Sequence, residues 1–489
     1  MRKILISTLG TGDTTEDEQG NKIADYKEAN YKFPESDKIY STKFIAEALI
    51  KEIQPDKVIV LGSNGSAWNN LYTAMLSEEE LGSDEQFDIY LEFTKKIDDE
   101  VIENDSDEHM ILFNNKMKEY IEKETDSVNP RVKSYILQYG RNDEEIKTNV
   151  DIFMDILKYL EDGDEIYFDI THMFRSIPMF AFIMLQFIET LNSKDIEMKG
   201  LYYGMFEAKE INAEGMKITP VVDLKYLLDL SKWINATQDF VDHGNGSKLA
   251  KLLNQDGTNP ELQERLERVS TMLNFNFLHE FKMEIPHLRG SMRKAEDDKG
   301  LFKYVEPSIV EMLDRFEFEN IPKRDENLEI IGSRPRELDQ ESKSQMELSK
   351  WYFEHDNYGF GYICLEEAII TRLCELYGAD SSEINDYDYR NKLKKTIFNK
   401  DNYKERFNDG INELFKLHQS INAFRMQVAH SSIQADWRRK QNKKKTKDSE
   451  YARTPDKKNP GEEADSIYRK INKTLYGEDI KSIVKYIQL

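Results

Sequence analysis

Two small groups of residues in this chain have the types and spacing to do chemistry. The first is Asp169, Thr171, His172 and Arg175, inside the run Tyr167 to Pro178. A carboxylate, a hydroxyl, an imidazole and a guanidinium crowd there at the end of an apolar stretch, a set suited to a polar, phosphate-bearing ligand. The second is Arg425 and His430, five positions apart near the end of the last long helical pattern. Histidine titrates near neutrality and moves protons. Arginine is a fixed cation whose fork matches phosphoryl oxygens.

The elements that must position the first group are a strand and a helix. Glu165 to Ile170 reads as a buried strand, with Phe168 and Ile170 pointing one way. Pro178 is tolerated in a first helical turn, and the apolar stretch Met179 to Leu191 follows as a helix. Ligands of open α/β sheets bind at such strand ends. The same alternation runs through the first half: strands at Lys3 to Leu9, Lys57 to Gly62 and Lys133 to Tyr139, and helices at Ser41 to Ile53, Asn69 to Leu81 and Glu144 to Leu160. This is a βαβ pattern and predicts a mostly parallel sheet. Gly12 to Lys38 is polar and reads as a long loop; Gly82 to Glu108 has no clear pattern. The helix from Met179 to Leu191 is apolar on nearly every side, which fits either deep burial or a subunit interface.

After Asp223 the periodicity is helical. Tyr226 to Phe240, Pro260 to Asn276 and Glu306 to Phe318 fit it, as does Lys343 to near Phe407, where Gly359 and Gly361 mark a possible kink. Asn408 to His430 is a further helix or helix pair. Glu319 to Ser342 carries Pro322, Gly332 and Pro335 and reads as a connection. The expected organisation is α/β plus all-α: a Rossmann-like domain at 1–225, a helical connector at 226–342 and a second helical domain at 343–489.

A length of 489 residues suits two or three domains. With 33% charged residues and a net charge of −24, the chain should be soluble. No apolar run reaches membrane-spanning length and the N-terminus lacks a signal-like stretch, so a cytoplasmic location without membrane contact is expected. Cys364 and Cys374, the 2 cysteines, fall in one predicted helix and read as core residues. Strong acidity argues against indiscriminate nucleic-acid binding. Arg438, Arg439, Lys440, Lys443, Lys444, Lys445 and Lys447 form a local basic cluster, a solvated loop that can still attract RNA.

Asp169-Ile170-Thr171-His172 with Phe174-Arg175-Ser176 and Pro178 resembles the signature of CARF sensor domains from ancillary proteins of type III CRISPR systems. Leu5 to Gly12 resembles the first strand and loop of that family. Val58 to Gly62 with Ser66 and Trp68 resembles its second strand and turn. Gly200 to Gly204 and Pro220 to Leu224 resemble its later strands. Arg425 to His430 matches the Arg-x4-6-His pattern of HEPN ribonucleases. Trp351-Tyr352, Glu366 to Ile370 and Cys374-Glu375 resemble the earlier helices of those domains. Many relatives carry a polar residue, often Asn, directly after the Arg; here it is Met426.

The resemblance implies a CARF dimer that binds a cyclic oligoadenylate. Its pocket would be at Thr8, Thr11, Gly12, Ser63, Asn64, Thr171, His172 and Arg175. It also implies a HEPN ribonuclease, with Arg425 and His430 catalytic on single-stranded RNA and no metal or cofactor. In metal-free cleavage the 2′-hydroxyl attacks the adjacent phosphate while His moves protons and Arg stabilises the gathering charge. Residues five apart on an ideal helix sit roughly 140° apart, so one chain makes a poor site. A two-fold axis can bring both pairs into one cleft, and the resemblance implies such a homodimer. Two other classes fit the sequence: a ligand-gated regulator without RNA cleavage, and a phosphodiesterase opening the cyclic ligand at Thr171 and His172.

Overall fold

Strands apolar on both faces must be covered on both faces, and Arg2–Leu9 and Lys57–Ser63 do lie mid-sheet. The computed structural model describes residues 1–16, 22–99, 101–102, 106–172, 177–191, 194–255, 260–294, 300–316, 340–399, 409–429 and 460–483. The chain packs as two compact units, Met1–Lys232 and Trp233–Leu489.

The first unit runs β1 (Arg2–Leu9), β2 (Asp13–Glu16), β3 (Lys22–Asp25), β4 (Ala29–Lys32), β5 (Ile39–Thr42), α1 (Ile45–Ile53), β6 (Lys57–Ser63), α2 (Trp68–Ala74), α3 (Glu78–Leu81), α4 (Asp84–Asp98), α5 (Glu108–Glu124), β7 (Arg131–Leu137), α6 (Asp143–Tyr159), β8 (Asp164–Asp169), α7 (Ile177–Leu191), β9 (Glu197–Gly204), β10 (Glu210–Ile211) and β11 (Lys217–Asp223). It ends inside α8 (Lys225–His243). Among the described residues the main sheet is nine-stranded, in the order β5-β4-β11-β9-β8-β1-β6-β7, with β10 beside β11. The pairs from β9 to β7 are all parallel, and the β9–β11 pair is antiparallel. The expected mostly parallel α/β sheet is therefore present.

Strand alternation divides the core in two. Ile4, Ile6, Ile59, Leu61 and Phe168 face α6 and α7, meeting Phe153, Leu157 and Leu185. Leu5, Val58 and Val60 face the other way, onto Leu49 of α1 and Phe113 of α5. Each such large side chain contributes about 1.5–3 kcal/mol on burial. The amino edge is closed by charge: buried Asp164 accepts from Arg2 Nε at 2.9 Å, and Lys57 Nζ lies 3.8 Å from it. The carboxyl edge is left to the loops.

Three expectations for this unit change. The stretch from Gly12 to Lys38 holds β2, β3 and β4 rather than a continuous loop. Alternate burial of Ala29, Tyr31 and Phe33 fixes β4 against β11, and the polar β2–β3 ribbon has no apolar period to betray it. The helix expected at Asn69 to Leu81 is two helices, because Ser77 starts α3 with a capping box to Glu80. The stretch from Gly82 onward is helical as α4, where Phe93 alone is fully buried among the described side chains. The apolar helix α7 is not buried on every side. Ala181, Met184, Leu185 and Ile188 pack on the sheet, while Met179 and Ile183 are 69% and 58% exposed.

The second unit is helical in the described residues: α9 (Ser247–Gln255), α10 (Pro260–Phe275), α11 (Leu278–Lys294), α12 (Phe302–Asp314), α13 (Gln340–Glu354), α14 (Tyr358–Leu376), α15 (Ser381–Ile384), α16 (Tyr387–Ile397), α17 (Asp409–Ala429) and α18 (Pro460–Leu475). The long pattern from Lys343 is broken rather than kinked. Asp356 takes a left-handed φ of 58° and Asn357 caps α14; Asp380 and Asp386 then cap α15 and α16. Gly361 stands where α13 and α14 touch: a Cβ there would be 2.3 Å from the Phe353 ring. Both cysteines are buried in α14, and burial pushes the Cys374 thiol up to about 11. Among the described residues no helix is long and apolar enough to cross a membrane. Most of the stretch expected to connect at 319–342 and the basic cluster at 438–447 lie outside the described residues.

Candidate functional site

The sheet order reverses direction at β1. From β1 the chain fills β6 and β7 on one side, then returns to add β8 and β9 on the other. A crevice opens at the carboxyl ends where order reverses, the usual ligand position in such sheets. Parallel register aligns Ile6 with Phe168. The next residues, Ser7 and Thr8 on β1 and Asp169 on β8, are thereby set side by side.

Asp169 organises this edge. Its fully buried carboxylate accepts from Ser7 Oγ at 2.7 Å and, on the other oxygen, from Thr171 N at 2.9 Å and Thr171 Oγ1 at 2.5 Å. The Thr8 amide adds a longer bond of 3.4 Å. Thr171 Oγ1 also accepts from Gly204 N on β9 at 2.9 Å, and Thr8 Oγ1 accepts from His172 N at 3.3 Å. One carboxylate and two hydroxyls so tie together three adjacent strand ends, β1, β8 and β9.

The predicted pocket residues then separate by role. Thr8 and Thr171 brace the crevice. Ser63 is buried with its amide bonded to Ser66 Oγ at 2.8 Å and its carbonyl accepting from Trp68 Nε1 at 2.8 Å, so it shapes the β6 turn. Ser66 in turn donates to Leu9 O at 2.7 Å, joining that turn to β1. Thr11 is exposed, Asn64 is half-buried and Gly12 has φ 74°, where glycine is favoured. Thr11, Gly12, Asn64 and His172 thus stand in the loops just past three of the strand ends. Arg175 lies outside the described residues.

His172 is packed rather than splayed. Its ring meets Tyr26 edge-on, centroids 4.9 Å apart. A Cβ at Gly10 would come within 3.1 Å of both the His172 carbonyl oxygen and the Tyr26 hydroxyl, so this close approach favours glycine. His172 Nε2 is buried with no hydrogen-bond partner among the described residues. Burial pushes the imidazole below its ordinary range, against the opposing pull of Asp169 and Glu207. Burial thus favours the neutral ring. Sequence reasoning left Asp169, Ser7 and Tyr26 off the pocket. The motif around Asp169 was the available signal, but its role depends on register.

The second group is only partly placed. Arg425 belongs to α17, and His430 lies outside the described residues. Upstream on α17, Ile411, Leu414, Phe415 and Ile421 pack in one core with α14 and α18. His418 stacks flat on Phe398, centroids 3.6 Å apart, and its Nε2 is 3.7 Å from buried Glu366, which also pairs with Lys394. Glu375, buried further along α14, accepts from Ser342 N at 2.9 Å and Arg372 Nη1 at 3.3 Å. These acids from the resembling segments hold helices together. No group of three or more His, Cys, Asp or Glu side chains is placed to share a metal ion among the described residues.

Residues 4–207 match the family described as CRISPR system endoribonuclease Csx1, CARF domain. Residues 229–320 match the second domain of CRISPR-associated protein MJ1674. The chain is 33% identical over 405 residues to CRISPR-associated protein MJ1674 of Methanocaldococcus jannaschii, a stretch covering 82% of this chain and 57% of that protein. It thus spans less than two thirds of its relative's length. Among solved structures, Enterococcus italicus Csm6 bound to cyclic hexa-2′-fluoro-hexa-dAMP aligns over 99% of this chain and 98% of its own, at 11% identity and a TM-score of 0.29. The first unit thus matches a CARF domain family, residues 229–320 match a domain of a CRISPR-associated protein, and the chain is similar to that protein over most of its own length.

Proposed function

We propose that this chain is a cyclic oligoadenylate-activated, metal-independent endoribonuclease of type III CRISPR antiviral defence. The observation that carries the reading is the crevice at the switch point of the sheet, braced by Asp169, in a domain that matches a family described as the CARF domain of a CRISPR system endoribonuclease. A dimer of the first unit binds the cyclic activator beside Thr11, Gly12, Asn64 and His172, with Arg175 expected from the motif as a further contact. Arg425 and His430 from two chains form a composite HEPN site that cuts single-stranded RNA. No cofactor is required, since the ribose 2′-hydroxyl supplies the nucleophile, His the proton transfer and Arg the charge stabilisation.

One observation favours a second activity alongside the first. Half-buried His172, with its buried, unpartnered Nε2, is suited to accept the proton of a ribose hydroxyl as that oxygen attacks the adjacent phosphate and the ring's phosphodiester bond breaks, which would open the cyclic ligand in place.

A single assay tests both. The protein is incubated with labelled RNA and labelled cyclic oligoadenylate in EDTA. RNA fragments ending in cyclic phosphate and 5′-hydroxyl are expected. Fragments with 5′-phosphate, or loss of cutting on chelation, would show a metal nuclease instead. Linearised ligand would show the second activity.

A further inference from the structure

We propose that Tyr139 and Arg141, at the exit of β7, form a base-stacking platform that extends the ligand site across the carboxyl ends of β6 and β7. The proposal rests on reading the first unit as a cyclic oligoadenylate sensor, and it identifies where a base of that ligand would lie. Strands β1, β6 and β7 are consecutive in the sheet, so β7 ends about 10 Å along the edge from β1 at ordinary strand spacing.

The exit of β7 is built to hold one shape. The buried side chain of Asn149 clamps both backbone groups of Gln138: its Oδ1 accepts from Gln138 N at 2.8 Å and its Nδ2 donates to Gln138 O at 2.9 Å. Gly140 then takes φ 77°, a turn that glycine makes without strain. Tyr139 and Arg141 flank this turn. The Arg141 guanidinium lies over the Tyr139 ring, 5.4 Å from its centroid. The Tyr139 hydroxyl reaches the β6 loop, where a Cβ at Gly65 would be 2.8 Å from it. This places the stack directly beside Asn64, one of the predicted pocket residues.

The electrostatics select a base over a phosphate. Glu145 holds Arg141 through Nε at 3.0 Å and Nη2 at 2.9 Å, so the cation is already neutralised. Asp143, Glu144 and Glu145 fill the first turn of α6 next to it and would repel a phosphodiester. A flat, neutralised aromatic–guanidinium pair favours a neutral π-face. The phosphates then fall to the crevice between β1 and β8 and a purine to the β7 rim.

The test uses the full-length chain and calorimetric titration with cyclic tetra- and hexa-adenylate. A copy of the ring that binds also carries 2-aminopurine at one position. Y139A is expected to weaken binding roughly 10- to 100-fold, the usual loss for one stacked base. R141A, a change at a largely exposed side chain, should weaken it several-fold, and Y139F should retain affinity. Quenching of 2-aminopurine on binding should persist with Y139F and be lost with Y139A. Wild-type affinity and quenching in both Y139A and R141A would overturn the platform while leaving the sensor reading standing. A wild-type chain that binds neither ring would overturn both.

Discussion

Replacing His430 by alanine is expected to lower RNA cleavage by about 100- to 10,000-fold, the usual contribution of a positioned proton carrier. Activator affinity and thermal midpoint should stay at the wild-type level, because the sensor residues belong to the other unit. Gel-based cleavage of labelled RNA, with ligand binding measured on the same preparation, gives both numbers. Arg425→Ala should behave alike, since cation and proton carrier act on one transition state. An H430A protein that cuts at the wild-type rate would remove the basis for a HEPN site. His430 is the only residue of the chain that completes the Arg-x4-6-His pattern.

The second large effect is expected at Asp169. Its carboxylate receives Ser7 Oγ, Thr171 N and Thr171 Oγ1, with Thr8 N further off. Asp169→Ala leaves these buried donors unmatched, at about 1–3 kcal/mol for each group that water cannot reach. A total loss near 3 kcal/mol is expected in urea unfolding of the first unit, with activator binding weakened because the Thr171–His172 turn loses its anchor. Asp169→Asn should cost about 1 kcal/mol. Its NH2 group can turn toward Ser7, whose hydroxyl can rotate to accept, and only the long Thr8 bond is lost. Equal loss from both variants would show that the negative charge, rather than the bonding pattern, holds the crevice.

These two sites also show what the sequence could and could not reveal. The strands β1, β6 and β8 were legible because their apolar runs are short and continuous, a pattern that only a covered sheet satisfies. The β2–β3 ribbon was not, since Asp13 to Glu16 and Lys22 to Asp25 are mostly polar and show no apolar alternation in the sequence. Helix α4 was equally obscure, with Phe93 its only fully buried described side chain. Within the pocket, residue types were readable but roles were not. Thr8, Ser63 and Thr171 look like ligand donors in the sequence, yet their hydroxyl or backbone groups are engaged in bracing strand ends. Asp169 was legible as part of the polar cluster, but its bracing role appears only when the β1–β8 register brings Ser7 against it. Long-range pairing is the missing information in each case, because a hydrogen bond spanning 162 positions leaves no local period. Helix breaks were missed for the opposite reason. Asn357, Asp380 and Asp386 are local caps, hidden inside an apolar rhythm that continues across them.

Coupling between sensing and cutting is the central claim. A ligand can shift the cutting site only by its differential affinity for two states of the protein. The most direct measurement is RNA cleavage by the full-length chain across a titration of cyclic oligoadenylate, for wild type and for Arg175→Ala. We expect negligible cutting without ligand, a saturable rise with it, and a curve displaced to higher ligand concentration in R175A with a similar plateau. Basal cleavage equal to the stimulated rate, or an R175A curve that overlays the wild type, would contradict the account.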